Sequence, residues 1–249
     1  MPVLGVIPAR LGSSRLPRKP LRLLAGEPLV LWVVRRVAEL ECCDRLVVAT
    51  DADDIVQVVT QAGFEAVLTS PTHASGTERI AEVIDKKEFA GYDLVLNVQG
   101  DEPLVAAAAI HGLLDRLRLG DPIGTAAGKL EARFAADVNR VKVVVGPDGR
   151  AIYFSRAPIP SDRDGKGTVI YHQHIGVYGY TRESLTRWVR LPPVPEERWE
   201  ALEQLRPLLH DIPIGVALID ETPAPGIDTL EDLQMAEARL ARSREEVSP

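Results

Sequence analysis

The sequence predicts an α/β fold: a mostly parallel central sheet with helices on both faces, joined to a smaller mixed region. Two observations carry this. Short uninterrupted apolar runs at 3–7, 45–50, 66–68 and 94–98 alternate with segments of helical period, and strands apolar on both faces belong to parallel sheets covered on both sides. Beyond about residue 120 the alternation gives way to a hairpin-like element and irregular stretches. A chain of 249 residues with 45% apolar and 26% charged residues can bury a large core as an ordinary soluble globular protein.

Val3–Ile7 reads as a buried strand opening into a loop rich in Gly, Ser, Arg and Pro, Pro8–Pro20. A helix is predicted over about 28–40, where Leu29, Val33, Val37 and Leu40 recur near the 3.6-residue period. Arg45–Thr50 is the next strand, stopped by Asp51-Ala52-Asp53-Asp54, and Ile55, Val56, Val58 and Val59 mark a second helix. Ala66–Leu68 then reads as a strand, Thr77–Lys87 as a helix and Leu94–Val98 as a strand. In such sheets ligands bind beyond the carboxyl ends of the strands, so the polar clusters at 8–20, 51–54 and 97–103 are expected to line one cleft.

The second half is less regular. Ile110, Leu113, Leu114 and Leu117 make a helix face, Val141–Val145 a strand, and Pro147–Arg150 a turn into Ala151–Phe154. Residues 155–173 read as loop, 175–180 and 214–219 as strands, 195–209 as largely helix, and 229–246 as an amphipathic helix capped by Asp228 or Thr229.

Charge and cysteine content exclude several classes. With 29 Lys and Arg against 36 Asp and Glu the formal charge is −7, which argues against broad nucleic-acid or anionic-membrane binding but leaves room for a local basic pocket. Cys42 and Cys43 are neighbours and form neither a CxxC site nor a disulfide framework, so a reducing cytoplasm is expected. The N-terminal apolar run is too short to insert in a membrane and lacks a signal-peptide pattern, so the mature chain is expected to start at Met1.

The loop after the first strand sets Arg10, Arg15, Arg18 and Lys19 beside Gly12 and two serines, Ser13 and Ser14. In an acidic chain this reads either as a polyphosphate cradle, with glycine admitting close approach and the cations neutralising phosphoryl oxygens, or as a solvated surface loop. Neither GxxxxGK[ST] nor GxGxxG occurs. Asp101 follows a buried strand at the same end. Carboxylates tolerate phosphates when a divalent cation lies between them, so Asp101 reads as a metal ligand, with a helix cap at Asp101 or Glu102 as the alternative. Asp228 is either an N-cap or a second carboxylate for the same ion.

His73–Arg79, HASGTER, suits base or ribose recognition or is a plain helix entry. His172 and His174 lack the partners of a metal site and read as hydrogen-bonding or surface residues. Arg156 and Tyr178 lie near strand ends where they could meet an anionic sugar. Glu200, Glu203 and Gln204 share a predicted helix face opposite Trp199, Leu202 and Leu205. No Ser-His-Asp spacing is recognisable, and the pattern points to phosphoryl or nucleotidyl transfer, where positioning and charge stabilisation do most of the catalysis.

The order of these residues resembles the 3-deoxy-manno-octulosonate cytidylyltransferases, the CMP-Kdo synthetases. The matching stretches are IPARLGSSRLPRKPL from Ile7, VVATD from Val47, HASGTERIAEV from His73, NVQGDEP from Asn97, VKVV from Val141, YFSRAPIP from Tyr153, HIGVYGY from His174, LEQLR from Leu202 and GIDTLEDL from Gly226. They span nearly the whole chain. The first is shared loosely with sugar nucleotidyltransferases in general; NVQGDEP, YFSRAPIP and the pair HIGVYGY and LEQLR are more specific. Ala74 stands where this family commonly has glutamine, Leu230 where proline or another residue is common, and Trp199 where a smaller apolar residue is usual.

The resemblance implies one Rossmann-like nucleotidyltransferase domain over 1–249, with 1–120 mainly binding CTP and about 125–210 contributing sugar-binding and dimer contacts. It implies that Arg10, Ser14, Arg15 and Lys19 hold the CTP phosphates while Ser75 and Gly76 help to place the nucleotide. Gln99, Arg156, His174, Tyr178, Glu203 and Gln204 would surround the sugar acid, and Asp101 with Asp228 would bind catalytic Mg²⁺, with Lys19 stabilising the leaving pyrophosphate. The implied reaction is CTP plus Kdo giving CMP-Kdo and pyrophosphate, for lipopolysaccharide biosynthesis, by a cytoplasmic homodimer. Alternatives are the 8-amino analogue of Kdo or another sugar acid such as a sialic acid, and a regulatory nucleotide-binding protein without turnover if Asp101 and Asp228 are caps.

Overall fold

The computed structural model describes residues 1–13 and 15–247, with only the helical backbone described for 242–247. In chain order its elements are β1 (Val3–Ala9), β2 (Leu23–Leu24), β3 (Glu27–Pro28), α1 (Leu29–Glu39), β4 (Arg45–Thr50), α2 (Asp53–Gln61), β5 (Glu65–Leu68), α3 (Gly76–Asp85) and β6 (Leu94–Val98). There follow α4 (Ala107–Arg118), β7 (Ile123–Leu130), β8 (Lys142–Val145), β9 (Ala151–Ser155), β10 (Tyr171–Thr181), α5 (Arg182–Trp188), α6 (Pro195–Glu200), α7 (Leu205–Leu209), β11 (Ile214–Ile219) and α8 (Leu230–Val247). The chain forms two compact units. One comprises Pro2–Gly91, Asn97–Val105 and the segment from Ala224 onward; the other comprises Tyr92–Leu96 and Ala106–Pro223, with Met1.

The first unit is the parallel α/β arrangement that the sequence predicts. β1 pairs in parallel with β4, Val6 opposite Val47, and β4 pairs in parallel with β5, Val48 opposite Ala66. All seven residues of β1 are buried. α1 contributes Leu29, Val30, Val33, Val34 and Val37 to the core, the stripe that its 3.6-residue period provides. A second apolar cluster joins Leu16, Leu24 and Leu29 to Ile227, Leu233 and Ala236, so the loop after β1 is pinned to the segment that leads into α8.

The second unit is mixed. β7 pairs in parallel with β11 and antiparallel with β10, and β8 pairs antiparallel with both β10 and β9. Arg150 bridges to Gly215 and Val216 N donates to Gly149 O at 2.8 Å, so the turn before β9 returns to β11.

Four features differ from the sequence reading. β7, IGTAAGKL, has too little β-branched and aromatic content to announce a strand, yet six of its first seven residues are buried. Its small residues answer to close packing, since a Cβ on Gly124 would lie 2.5 Å from the backbone oxygen of Leu113 in α4. β10 begins at Tyr171, inside the stretch read as loop, and α5 follows it directly, capped by the Thr181 hydroxyl on Ser184 N. The helix predicted over 195–209 is broken into α6 and α7 by Ala201, which takes a left-handed conformation at φ 50°. Glu200, Glu203 and Gln204 therefore do not share one helix face, and Trp199 is 79% exposed rather than packed with Leu202 and Leu205.

β10 carries an irregularity opposite β7: Ile175 faces Ala126 and Tyr178 faces Thr125, so two extra residues lie on β10. The Thr125 hydroxyl fills it, donating to Val177 O at 2.7 Å and lying 3.0 Å from His174 Nε2. Because the hydroxyl has one hydrogen, the network assigns Nε2 of His174 as the donor to Thr125 and leaves the lone pair on Nδ1. His174 packs on the edges of Phe154 and Tyr178, and Tyr178 continues the cluster to Tyr180 and Trp188. Burial pushes the His174 imidazolium down to a pKa of about 3.

Two outcomes follow from this packing. Gly124→Ala should lower stability by about 1–3 kcal/mol, the usual cost of overpacking, seen as a fall in Tm of roughly 2–4 °C per kcal/mol; an unchanged Tm would mean that α4 can retreat from β7. His174 stays neutral in the fold down to about pH 3, whereas in the unfolded chain it takes a proton near its ordinary value of about 6.5. Its contribution is therefore fully present above about pH 6.5 and is lost progressively as pH falls toward 3, at up to about 1.4 kcal/mol per pH unit. Urea unfolding between pH 7 and pH 4 should show a shallower loss of stability in His174→Gln than in the parent; parallel profiles would exclude a buried neutral histidine.

Candidate active site

A cleft of about 650 Å³ opens in the first unit, lined by Pro8 and Ala9 at the end of β1, by Arg10, Gly12, Ser13, Arg15, Lys19 and Pro20 of the loop that follows, by Ser75, Gly76 and Arg79 of α3 and its cap, and by Gln99, Gly100, Asp101 and Asp228. Residues 51–54 do not line it, against the expectation from their position after β4; Asp54 instead pairs with Arg18 at 2.6 Å in the open. The loop is held by what it buries. Leu16 and Pro20 are buried, and between them Arg18 takes a left-handed conformation, φ 56°, to start the single 3₁₀ turn Lys19–Leu21. Arg10, Gly12 and Arg15 line the cleft, and a Cβ on Gly12 would meet nothing within 4 Å. Ser14 lies outside the described residues.

Lys19 is the centre of the cluster. Its Nζ donates to Asp101 Oδ2 at 2.6 Å and to Asp228 Oδ1 at 2.9 Å, while Arg15 Nη2 takes the other oxygen of Asp228 at 2.9 Å. Burial alone would depress the Lys19 ammonium, but the charges and hydrogen bonds of Asp101 and Asp228 outweigh it and hold the pKa above the ordinary lysine value. Burial likewise works to raise Asp228, and Lys19 and Arg15 overcome it, leaving this carboxyl below its usual range. Glu102 has no such help: burial, then repulsion from Asp101 and Asp228, pushes it up to about 8, with Lys19 offsetting part of the rise.

The backbone resolves the question of caps. α8 is capped by Thr229, whose hydroxyl accepts from Asp232 N at 3.2 Å while Asp232 returns to Thr229 N at 2.8 Å, a reciprocal capping box. That leaves the Asp228 carboxylate for Lys19 and Arg15. Asp101 and Glu102 do not cap a helix either, because α4 starts only at Ala107 after Ala106. Ile227 N donates to Asp101 O at 2.9 Å, a backbone bond that joins the two carboxylate-bearing segments. Gly100 permits the approach to β1, since a Cβ there would lie 2.9 Å from Pro8 O.

Two carboxylates that converge on one ammonium can also converge on a metal ion. Among the described residues no group of three or more His, Cys, Asp or Glu is placed to hold a metal, so a closed zinc-type site is excluded there. The pair Asp101 and Asp228 fits Mg²⁺, which takes one or two carboxylates and completes its shell with water and substrate phosphate.

On the α3 side Ser75 caps the helix, accepting from Glu78 N at 3.3 Å, while Glu78 accepts from Ala74 N at 2.8 Å. Gly76 abuts the end of β1: a Cβ there would be 3.2 Å from Pro8 Cγ and 3.6 Å from Gln99 Oε1. Arg79 was not singled out by sequence reasoning, although HASGTER contains it; its position four residues after the cap, on the helix face turned to the sheet, was the available signal.

The remaining predicted residues lie in the second unit. Arg156 donates Nε to Glu200 O at 2.7 Å, Nη1 to Val138 O at 2.8 Å and Nη2 to Ala201 O at 3.3 Å, so three of its five N–H donors are spent on backbone carbonyls, two of them at the end of α6. The Glu200 carboxylate clasps the same point, accepting from Ser155 Oγ at 2.6 Å and Arg156 N at 2.8 Å. Lys142, fully buried, hydrogen-bonds the carbonyls of Asp137, Arg140 and Arg156. Tyr178 and Gln204 are buried and Glu203 is partly so; burial, then Tyr180 and Glu203, pushes the Tyr178 hydroxyl well above its ordinary pKa.

Comparison with known proteins gives the family. A cytidylyltransferase family profile matches residues 4–214. The 3-deoxy-manno-octulosonate cytidylyltransferase of Gemmatimonas aurantiaca is 48% identical over 241 residues, 95% of this chain and 93% of that protein. A solved CMP:2-keto-3-deoxy-manno-octonic acid synthetase complexed with CTP is 36% identical with a TM-score of 0.91, covering 98% of this chain and 100% of that one. The 4-diphosphocytidyl-2C-methyl-D-erythritol synthase of Anaerococcus prevotii, 17% identical with a TM-score of 0.64 over 97% of this chain and 99% of that one, shares the fold alone. The chain belongs to the cytidylyltransferase family, among the 3-deoxy-manno-octulosonate cytidylyltransferases.

Proposed function

We propose that the chain transfers CMP from CTP to Kdo, giving CMP-Kdo and pyrophosphate. The observation that carries the reading is the Lys19 ammonium bound at once to Asp101 and Asp228 in a cleft whose entrance loop supplies Arg10 and Arg15. Such a site offers positive charge to a triphosphate and paired carboxylates to its counter-ion.

Arg10, Arg15 and Lys19 bind the β- and γ-phosphates, and Ser75 and Gly76 hold the nucleotide beside the start of α3. The C2 hydroxyl of the sugar attacks the α-phosphorus in line; the new O–P bond forms as the bond from the α-phosphorus to the bridging oxygen breaks, and pyrophosphate leaves. Lys19 keeps its proton through this step, because its raised pKa holds it as the ammonium at neutral pH, and it neutralises charge growing on the leaving group. Asp101 and Asp228 would hold Mg²⁺. Bound there, the ion would polarise the phosphoryl oxygens and favour ionisation of the sugar hydroxyl.

On the same reading Gln99, Arg156, His174, Tyr178, Glu203 and Gln204 take the sugar acid. His174 does so as a neutral imidazole, and Arg156 through the two N–H donors that the backbone leaves it. We also propose a cytoplasmic homodimer serving lipopolysaccharide biosynthesis. Among the described residues no helix is long and apolar enough to cross a membrane.

Pyrophosphate release from CTP, assayed with Kdo, its 8-amino analogue and a sialic acid, should be fastest with Kdo and should require Mg²⁺; release that ignores Kdo would refute the assignment. Lys19→Ala should lower kcat/KM for CTP by roughly 10²-fold, about 2.7 kcal/mol of transition-state stabilisation. Asp101→Asn and Asp228→Asn should each remove most turnover while circular dichroism stays that of the parent. A folded Asp228→Asn enzyme with a near-normal rate would leave this carboxylate no part in the chemistry.

A further inference from the structure

Arg79 lines the cleft yet has only 3% of its side chain exposed. A buried guanidinium is costly unless its donors are satisfied, and here they close a ring. Arg79 Nη2 donates to Asp51 Oδ2 at 2.9 Å and Nη1 to Thr69 Oγ1 at 2.5 Å. The Thr69 hydroxyl donates in turn to Thr50 O at 2.9 Å, and Thr69 N donates to the same carbonyl at 2.8 Å. Asp51 follows Thr50 in the chain, so the ring ties the carboxyl ends of β4 and β5 to the second turn of α3. Thr50 and Thr69 are buried.

The segment 69–75 between β5 and α3 is therefore held from α3 itself. Arg79 takes Thr69 and, weakly, Ser70 O at 3.4 Å; Glu82 takes Ser70 N at 2.8 Å and His73 Nε2 at 2.6 Å; Glu78 takes Ala74 N. Of these three helix residues only Arg79 lines the cleft, and the segment it fixes ends in Ser75 and Gly76, which line it too.

We propose that Arg79 is a positioning residue for the nucleotide: through the ring with Asp51, Thr69 and Thr50 it presets the 69–76 segment in the conformation that receives CTP. This rests on the reading of the cleft as a CTP site. The contribution is one of preorganisation, since a segment already ordered does not pay for ordering when the ligand arrives. The planar fork is essential to it, because one ammonium cannot hold Asp51 and Thr69 in the same directions.

The test is calorimetric CTP binding without sugar, together with steady-state kinetics in both substrates, for Arg79→Lys and Asp51→Asn. Arg79→Lys keeps the charge and loses the fork, so it should weaken CTP binding about tenfold, with the KM for CTP rising in step. The KM for Kdo should stay within twofold, and kcat at saturating CTP within threefold. Asp51→Asn keeps an acceptor of the same shape and should give a smaller rise in the same constant. A merely structural role would lower the melting temperature and leave CTP affinity within twofold, and that result overturns the proposal, as does an equal rise in both KM values. Should Arg79→Lys fail to fold, Asp51→Asn decides in the same way: a rise confined to CTP sustains the proposal and unchanged CTP affinity overturns it. A parent protein that does not bind CTP overturns this inference and the proposed function together; a parent that binds CTP but does not use Kdo refutes only the sugar assignment.

Discussion

The cleft of the first unit depends on a lysine held between two carboxylates that are far apart in sequence. Lys19 has 16% of its side chain exposed, so its charge is substantially withdrawn from water, and the attraction of Asp101 and Asp228 is what makes that tolerable. The arrangement is locally close to neutral once Arg15 is counted on Asp228. An isolated surface pair would contribute little. This one differs because its partners are held by other contacts as well: the loop of Lys19 by the buried Leu16 and Pro20, Asp101 by the bond from Ile227 that ties it to the segment of Asp228, and Asp228 by the capping box that follows it.

Those contacts explain why the local backbone is built as it is. Asp228 stands next to a helix start, where a carboxylate ordinarily settles on backbone N–H groups. Thr229 and Asp232 satisfy those groups first, so the Asp228 charge remains directed at Lys19 and Arg15. Glu102 shows the cost of the same crowding. With water partly withdrawn and two carboxylates nearby, its proton is held to about pH 8, and at neutral pH the cluster is spared a third negative charge.

Much of the fold was legible because strands covered on both faces are predominantly apolar, and the runs Val3–Ile7 in β1, Leu46–Ala49 in β4 and Leu94–Leu96 in β6 stand out in the sequence for that reason. β7 escaped because its requirement is for small size: Gly124 and Gly128 stand where the backbone oxygens of Leu113 and Glu221 leave no room for a Cβ. Strand propensity carries no record of such contacts. The break at Ala201 escaped for a related reason, since an alanine in the left-handed region has no sequence signature and is met from outside by Arg156, which donates to Ala201 O and to Glu200 O. In the site, Lys19, Asp101 and Asp228 were visible as charges after strands, but the choice between cap and ion partner for Asp228 needed the hydrogen bonds of Thr229. Arg79 was hidden by its location on a helix face that a periodicity argument assigns to the core.

The cleft of the first unit and the aromatic cluster on β10 hold their polar groups by different physics. In the first, the groups facing the cleft are ions whose charges are kept by other ions, as the raised Lys19 and lowered Asp228 pKa values record. In the cluster on β10, burial keeps the polar groups neutral: His174 is uncharged above about pH 3 and Tyr178 retains its proton. A triphosphate calls for the former and the hydroxyl groups of a sugar for the latter, because a neutral donor or acceptor of fixed direction distinguishes hydroxyl positions where a point charge does not. Thr125 supplies that direction for His174 by fixing which ring nitrogen carries the hydrogen, and the two-residue irregularity of β10 is what makes room for the hydroxyl to do so. On the proposed function, the bulge in β10 would set the ring nitrogen that His174 turns to the sugar, and so would join the departure from regular pairing to the chemistry of the site.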